Sequence, residues 1–385
     1  MSGSVLSEAA QTVSTSPVLA SRRLVVKIGS ALLVDDETGK LHQSWLDALC
    51  DDIAAAHARG QEVLIVTSGA IAIGRGPLGM VGRKLRLEEK QAAAATGQMR
   101  LTQAYQNSLD RHGLTVAQVL ITLDDTENRR RYLNARNTLD TLLRLRAVPV
   151  INENDSVATA EIRFGDNDRL AARVAQMISA DTLVLLSDID GLYTADPRVK
   201  PDAQLVPEVR EVTPEIEAMA GVSSTGYGSG GMTTKIMAAK ICMGAGCTMA
   251  IAPGKPRHPL QVLIDGGRCT WFSPGAEPRA ARKRWIAGSV QTLGMLVVDD
   301  GAVTALRAGK SLLPAGIIDV SGAFERGDAV DVCARDGRRI AKGLSAYATQ
   351  DVRAIMGHKS EKIEEILGYR GRAEAIHRDD LVVGV

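Results

Sequence analysis

Two stretches near the start of the chain are built alike: Leu24–Ile28 followed by Gly29-Ser30, and Glu62–Thr67 followed by Ser68-Gly69-Ala70. Each is a β-branched apolar run that ends in a small hydroxyl residue and a glycine, and each leads into a helical pattern. Further apolar runs read as strands at Thr115–Thr122, Val148–Ile151, Thr182–Leu186 and Met249–Ile251. Between them, apolar periodicity predicts helices over Ser44–Ala58 with Ser44 as N-cap, Leu87–His112, Glu127–Arg146, Asp168–Ile178 and Lys235–Met243. Strand and helix alternating at this spacing dictate an α/β fold: an open, mostly parallel sheet sandwiched by helices.

Such sheets bind ligands beyond the carboxyl ends of their strands, so the residues at those ends are the candidates. Lys27 stands inside an apolar strand, where a lysine is costly unless it projects into a site, and Gly29 lets a ligand approach the backbone. Ser68 can donate to an anionic ligand or simply cap the next helix. The stretch Val148–Arg169 carries two polar knots, Asn152-Glu153-Asn154-Asp155 and Gly165-Asp166-Asn167-Asp168. Two clusters of amides and carboxylates at one sheet edge suit a small zwitterionic ligand better than they suit two solvated loops. Gly226–Gly231 is the most glycine-dense part of the chain and runs through Met232, Thr233 and Thr234 to Lys235. Glycines at a helix N-terminus beside a lysine form a phosphate-binding arrangement. No GxxxxGK[ST] motif occurs, and the glycines do not follow a strand as a dinucleotide fingerprint requires. Arg129-Arg130-Arg131 reads as a solvated face.

The pattern changes after Ser273–Lys283, a segment with two prolines. Beyond it, short strands at Met295–Val298, Ile317–Val320, Ala329–Val332 and Arg339–Leu344 alternate with Gly-Asp and Asp-Gly turns, and helices are expected near Thr349–Met356 and Ser360–Leu367. The expected division is a disordered tail over residues 1–21, an α/β domain over 22–274, a linker over 275–290 and a small β-rich domain over 291–385. Aromatics are only 3% of the 385 residues, so the cores must be aliphatic. The net charge is +1, and residues 279–385 hold 17 Lys and Arg against 14 Asp and Glu. Neither balance commits the chain to nucleic acid or to a membrane surface. The five scattered cysteines form no CxxC pair, which speaks against structural zinc and fits a reducing cytoplasm. The first residues lack the basic stretch of a secretory signal, and no apolar run approaches the ~20 residues of a membrane span.

The segments VVKIGS (25–30), VTSGAI (66–71), YLNARNTL (132–139), VPVINEND (148–155), FGDND (164–168), GLYTADP (191–197) and GSGGMTTK (228–235) occur in this order. With SLLPAGI (311–317), FERGD (324–328) and GY…IHRDD (368–380), the chain resembles the glutamate 5-kinases of the amino acid kinase family, which carry a C-terminal PUA domain. The likeness runs from about Leu24 to His377. Ser187 stands where that family usually has Thr, keeping the hydroxyl, and the N-terminal extension is unmatched. The resemblance implies phosphorylation of the γ-carboxylate of L-glutamate by ATP with Mg²⁺, the first step of proline synthesis. It makes Lys27, Lys235 and Asp168 catalytic. It assigns glutamate to Ser68, Asp155 and Asn167. ATP falls to Lys27, Ser187, Asp188, Ser229, Gly230, Gly231, Met232, Thr233, Thr234 and Lys235, while the ligands of the metal stay unassigned. It further implies feedback by proline, a homo-oligomer and a transient complex with the reductase that follows. A sibling kinase for aspartate, acetylglutamate or a nucleotide would share Lys27 and Gly29 but lack the paired knots and the PUA domain. PUA domains bind structured RNA elsewhere; the near-neutral charge of residues 279–385 weighs against that reading here.

Overall fold

The computed structural model describes residues 16–35, 38–157, 167–220, 231–275, 280–281, 283 and 291–384. The N-terminal sheet is built on β1 (Arg23–Ile28), β2 (Glu62–Val66), β3 (Val116–Ile121), β4 (Val148–Glu153) and β5 (Thr182–Ser187). The short strands β6 (Leu192–Tyr193) and β7 (Leu205–Val206) form a ribbon, and β8 (Glu208–Val209), β9 (Thr248–Pro253) and β10 (Thr270–Phe272) complete the sheet. Its order is β3-β4-β2-β1-β5-β9-β10-β8. All neighbours are parallel except β9 and β10. The chain leaves β1 toward β2 on one side and leaves β5 toward β9 on the other. The order reverses between β1 and β5, which opens a crevice at their carboxyl ends.

The strands are buried on both faces because helices cover both. Side chains alternate across the sheet. Leu24, Val26 and Ile28 join Leu46, Leu49, Leu101 and Tyr105 in one core. Val25 faces the other core, with Leu143, Leu170, Val174 and Ile236. The same period places Lys27 on the face of Val25. That face is covered by the helices Asn167–Met177 and Met232–Gly244.

Several boundaries differ from those read in the sequence. The helix expected from Ser44 runs Gln43–Ala58 behind His42, and Ser44 lies within its first turn. The helix expected over Glu127–Arg146 runs Arg129–Arg144, and a separate short helix, Leu123–Glu127, precedes it; Asn128 and Thr122 each accept a backbone N–H as their N-caps. The helix Pro259–Ile264 leads through residues 265–269 into β10, so the antiparallel pair β9 and β10 is not joined by a tight hairpin turn. Residues 16–21 were read as the end of a tail. They pack instead: Pro17–Ala20 is one helical turn, Val18 is fully buried, and Ser21 Oγ donates to Thr182 Oγ1 at 2.7 Å. Among the described residues no helix is long and apolar enough to cross a membrane.

The C-terminal sheet has the order β12-β11-β13-β14-β15, formed by β11 (Gly294–Val298), β12 (Ile317–Gly322), β13 (Ala329–Ala334), β14 (Arg339–Leu344) and β15 (Leu381–Val383). Register shifts at Val297/Val298 and Val332/Cys333 mark its bulges. It has its own aliphatic core around Leu296, Val332, Ile340, Val352 and Ile376. It is also fastened to the first domain by the helix Arg129–Arg144. Leu133 packs on Ala329 and Leu344. Gly327, at φ +94°, passes so close to Leu133 that a Cβ there would lie 1.7 Å from it. Arg136 Nη1 donates to Asp380 Oδ1 at 2.6 Å, with both side chains buried. Arg372 donates to Asn137 Oδ1. Arg129, expected on a solvated face, instead donates to the carbonyl of Gly327, while Arg131 stays exposed and pairs with Asp124 and Asp125.

Candidate active site

Three charged side chains meet beneath the crevice. Lys27 projects from β1, Asp168 from the first turn of the helix Asn167–Met177, and Lys235 from the first turn of the helix Met232–Gly244. Lys27 Nζ lies 2.6 Å from Asp168 Oδ1, and Lys235 Nζ lies 3.0 Å from Asp168 Oδ2. Thr234 Oγ1 adds a hydrogen bond to Oδ2 at 3.1 Å. Asp168 is fully buried, and both lysines are almost so. Burial alone would push the Asp168 carboxyl up, but the two ammonium groups outweigh it and hold it below its ordinary value. One carboxylate between two lysines leaves a net positive charge in a low-dielectric site, where an anion gains most.

The helix Met232–Gly244 begins directly after Gly231, three residues earlier than its sequence pattern suggests. Lys235 therefore sits in its first turn together with Thr233 and Thr234, where main-chain N–H groups have no intrahelical acceptor. Of the two threonines only Thr234 reaches Asp168; Thr233 is exposed. Ser229 and Gly230 lie outside the described residues. Ser187 ends β5 beside the last residue of β1, and its hydroxyl donates to the exposed Asp188 at 3.1 Å.

The second part of the site is an amide cluster next to the first. Asn167 Nδ2 lies 2.8 Å from the Thr67 carbonyl, 2.7 Å from Ser68 Oγ and 3.1 Å from Asn152 Oδ1. Asn152 Nδ2 in turn donates to Gln98 Oε1 at 2.7 Å. The glycine after Ser68, Gly69, has φ +101°, which turns the chain sharply from β2 into the helix Ala70–Arg75 and leaves Ser68 at the rim. Asp155 follows β4 by two residues, and burial pushes its carboxyl up to about 6. It joins neither the lysine triad nor the amide cluster by a direct bond among the described residues. Ser68, Asn167, Asp168, Lys27 and Lys235, singled out from the sequence, are thus brought together. Gln98 was missed, and Asn152, although named in the first polar knot, was given no role of its own.

Among the described residues no group of three or more His, Cys, Asp or Glu side chains could hold a metal ion. The donor set is one for anions.

The match to known proteins agrees with this geometry. The chain fits the amino acid kinase family over residues 22–253 and the PUA domain over residues 294–367. It is 67% identical over 368 residues to the glutamate 5-kinase of Paramagnetospirillum magneticum, covering 96% of this chain and 99% of that protein. With the glutamate 5-kinase of Rhodospirillum rubrum it shares 61% identity, covering 93% of this chain and 96% of that one. With that of Allorhizobium ampelinum it shares 59%, covering 94% and 92%. The chain belongs to the glutamate 5-kinases of the amino acid kinase family, with a PUA domain as its C-terminal unit.

Proposed function

We propose that this chain transfers the γ-phosphoryl group of ATP to the γ-carboxylate of L-glutamate, giving L-glutamyl 5-phosphate and ADP, the first step of proline synthesis. The observation that carries the reading is the cationic Lys27–Asp168–Lys235 cluster lying against the amide cluster of Ser68, Asn167 and Asn152 at one end of the sheet. A glutamate side chain has a pKa of ~4.3, so the nucleophile is ionised at neutral pH and needs no general base. A carboxylate oxygen attacks the γ-phosphorus, the bond from that phosphorus to the bridging oxygen breaks, and ADP leaves with the electron pair. The obstacle is repulsion between two anions, and the protein's part is positioning and charge neutralisation.

Lys27 and Lys235 supply that charge. Asp168, tied to both, holds their ammonium groups in place and is not a base. Ser68 and Asn167 grip the acceptor, and Asp155 takes its α-ammonium. Ser187, Asp188 and the segment Ser229–Lys235 hold the nucleotide. Mg²⁺ would travel on the nucleotide phosphates, as it does where the protein supplies few ligands, and would neutralise their charge. Proline keeps the α-carboxylate and amine of glutamate, so the loops from Glu153 to Asp168 would grip it as a feedback inhibitor competing with glutamate. A homo-oligomer and a transient complex with the reductase that consumes the acyl phosphate complete the reading.

The test is ADP release measured with a panel of carboxylic acids. L-glutamate should support turnover and proline should raise its apparent KM. Faster turnover with aspartate, N-acetylglutamate or a nucleoside monophosphate would overturn the assignment.

A further inference from the structure

The long helix Leu87–Asp110 supplies none of the charged residues of the site, yet its Gln98 side chain is wired to it through Asn152. We propose that Gln98 is a positioning residue for the acceptor substrate: through Asn152 and Asn167 it fixes the direction in which the Ser68 hydroxyl donates. The inference rests on the reading that Ser68 and Asn167 hold the acceptor.

Each link has a defined polarity. Thr102 Oγ1 spends its proton on the Gln98 carbonyl at 3.0 Å, so toward the Gln98 side chain it accepts. Gln98 Nε2 donates to it at 3.3 Å. The other end of that amide, Oε1, is then turned to Asn152 and accepts from Nδ2 at 2.7 Å. Asn152 is left presenting Oδ1, which receives Asn167 Nδ2 at 3.1 Å. From the opposite end, the Thr67 carbonyl can only accept and lies 2.8 Å from Asn167 Nδ2, so the two protons of that nitrogen are shared among three acceptors, Asn152 Oδ1, the Thr67 carbonyl and Ser68 Oγ. Both ends demand the same orientation of every amide. The outcome at the rim is that Ser68 Oγ accepts from Asn167 at 2.7 Å. Its own proton is free to point at an anionic group in the crevice, and the Asn167 carbonyl oxygen is turned away from the relay.

The relay is buried. Gln98 is 7% exposed and Asn152 is 2% exposed, so neither can replace a lost partner with bulk water. Removing the Gln98 acceptor strands an N–H of Asn152. Asn152 must turn to satisfy it, and its Oδ1 then leaves Asn167. Gly97 explains how the helix comes close enough: a Cβ there would lie 1.8 Å from the Ala70 carbonyl, two residues beyond Ser68.

The experiment compares Gln98→Leu, Gln98→Glu, Ser68→Ala and the double variant Gln98→Leu/Ser68→Ala in the full chain. Readouts are kcat, KM for glutamate, KM for ATP and melting temperature. Gln98→Leu should raise the glutamate KM about tenfold, the size of one lost hydrogen bond between neutral groups. Its ATP KM and its kcat at saturating glutamate should stay within about twofold of the parent. Gln98→Glu keeps an acceptor for Asn152 in either protonation state and should recover most of the loss. On the Ser68→Ala background, Gln98→Leu should add little, because both act through one hydroxyl. An unchanged glutamate KM in Gln98→Leu overturns the proposal. So do additive effects in the double variant, or an equal loss of ATP KM, kcat and melting temperature in both Gln98 variants. A parent chain that does not turn over glutamate refutes the function itself and is seen before any variant is made.

Discussion

Asp155 is the residue whose protonation most directly governs the proposed acceptor. Burial keeps its proton on up to about pH 6 in the folded chain, whereas an unperturbed aspartate releases it near ~3.9. The folded state therefore binds more protons between those values, and the ligand-free fold loses stability as pH rises through that window. A substrate ammonium pairs only with the ionised form. Glutamate KM should thus rise as pH falls below about 6, approaching ~tenfold per pH unit, and Asp155→Asn should weaken binding at neutral pH and flatten the profile. A steep profile that survives Asp155→Asn would assign the titration to another group. The lysines make a contrasting prediction. Lys27→Ala or Lys235→Ala removes half of the charge around Asp168, and each should lower kcat by about tenfold or more, the cost of a charge-assisted contact, with a smaller rise in glutamate KM. Steady-state kinetics of both variants decide it. Lys27 was legible in the sequence because a charge in an apolar strand is costly and so declares itself, Asp168 because it closes a polar knot, and Lys235 because it follows the glycine-rich run. Gln98 was not, since an amide inside an Ala- and Gln-rich helix looks like any surface position until the fold shows which face it occupies.

At the level of elements, the site depends on two helices that touch backbone to backbone. A Cβ on Gly74 would lie 1.8 Å from the Ala93 carbonyl, and one on Gly97 equally close to the Ala70 carbonyl. The helix Ala70–Arg75 carries the turn of Ser68, and the helix Leu87–Asp110 carries Gln98. Gly97→Ala should force them apart at a cost of roughly 1–3 kcal/mol, the usual range for overpacking. Because the shift moves Gln98 away from Asn152, it should also raise the glutamate KM. Chemical denaturation and kinetics of the same variant test both halves; a stable variant with an unaltered KM would show that the crossing has slack. Strand positions such as Leu24–Ile28 and Val148–Ile151 could be read in advance because alternation and β-branching are local signals. The short helix Leu123–Glu127 was hidden, since five residues are too few to show an apolar period. The start of the helix at Gly231 was hidden for a different reason: three residues that read as loop satisfy the first turn.

For the whole molecule, the two domains have separate cores but are not independent. The first domain's sheet is complete by Phe272, so truncation after about Pro274 should leave a folded kinase. It would, however, uncover Leu133 and take Asp380 from the buried Arg136. The truncated chain should therefore melt at a lower temperature while retaining phosphoryl transfer. In the full chain, Arg136→Met should destabilise by about 1.5–3 kcal/mol, the cost of one lost hydrogen bond to a charged group, because Arg372 still neighbours Asp380. Calorimetry on the two proteins checks both statements; an unchanged melting temperature in each would mean that the contact between domains contributes nothing. The central position of β1 has a further consequence, in the time course of synthesis. β1 is the first strand of the sheet to leave the ribosome, and β2 can pair with one of its edges soon afterwards. Its other edge waits for β5, whose entry is marked by the bond from Arg23 N to Asp181 across 158 residues. For that interval the nascent chain carries an apolar strand with an open edge, the kind of surface that pairs with the wrong partner. Lys235 arrives later still, so any shorter nascent chain lacks one of the two cations that flank Asp168.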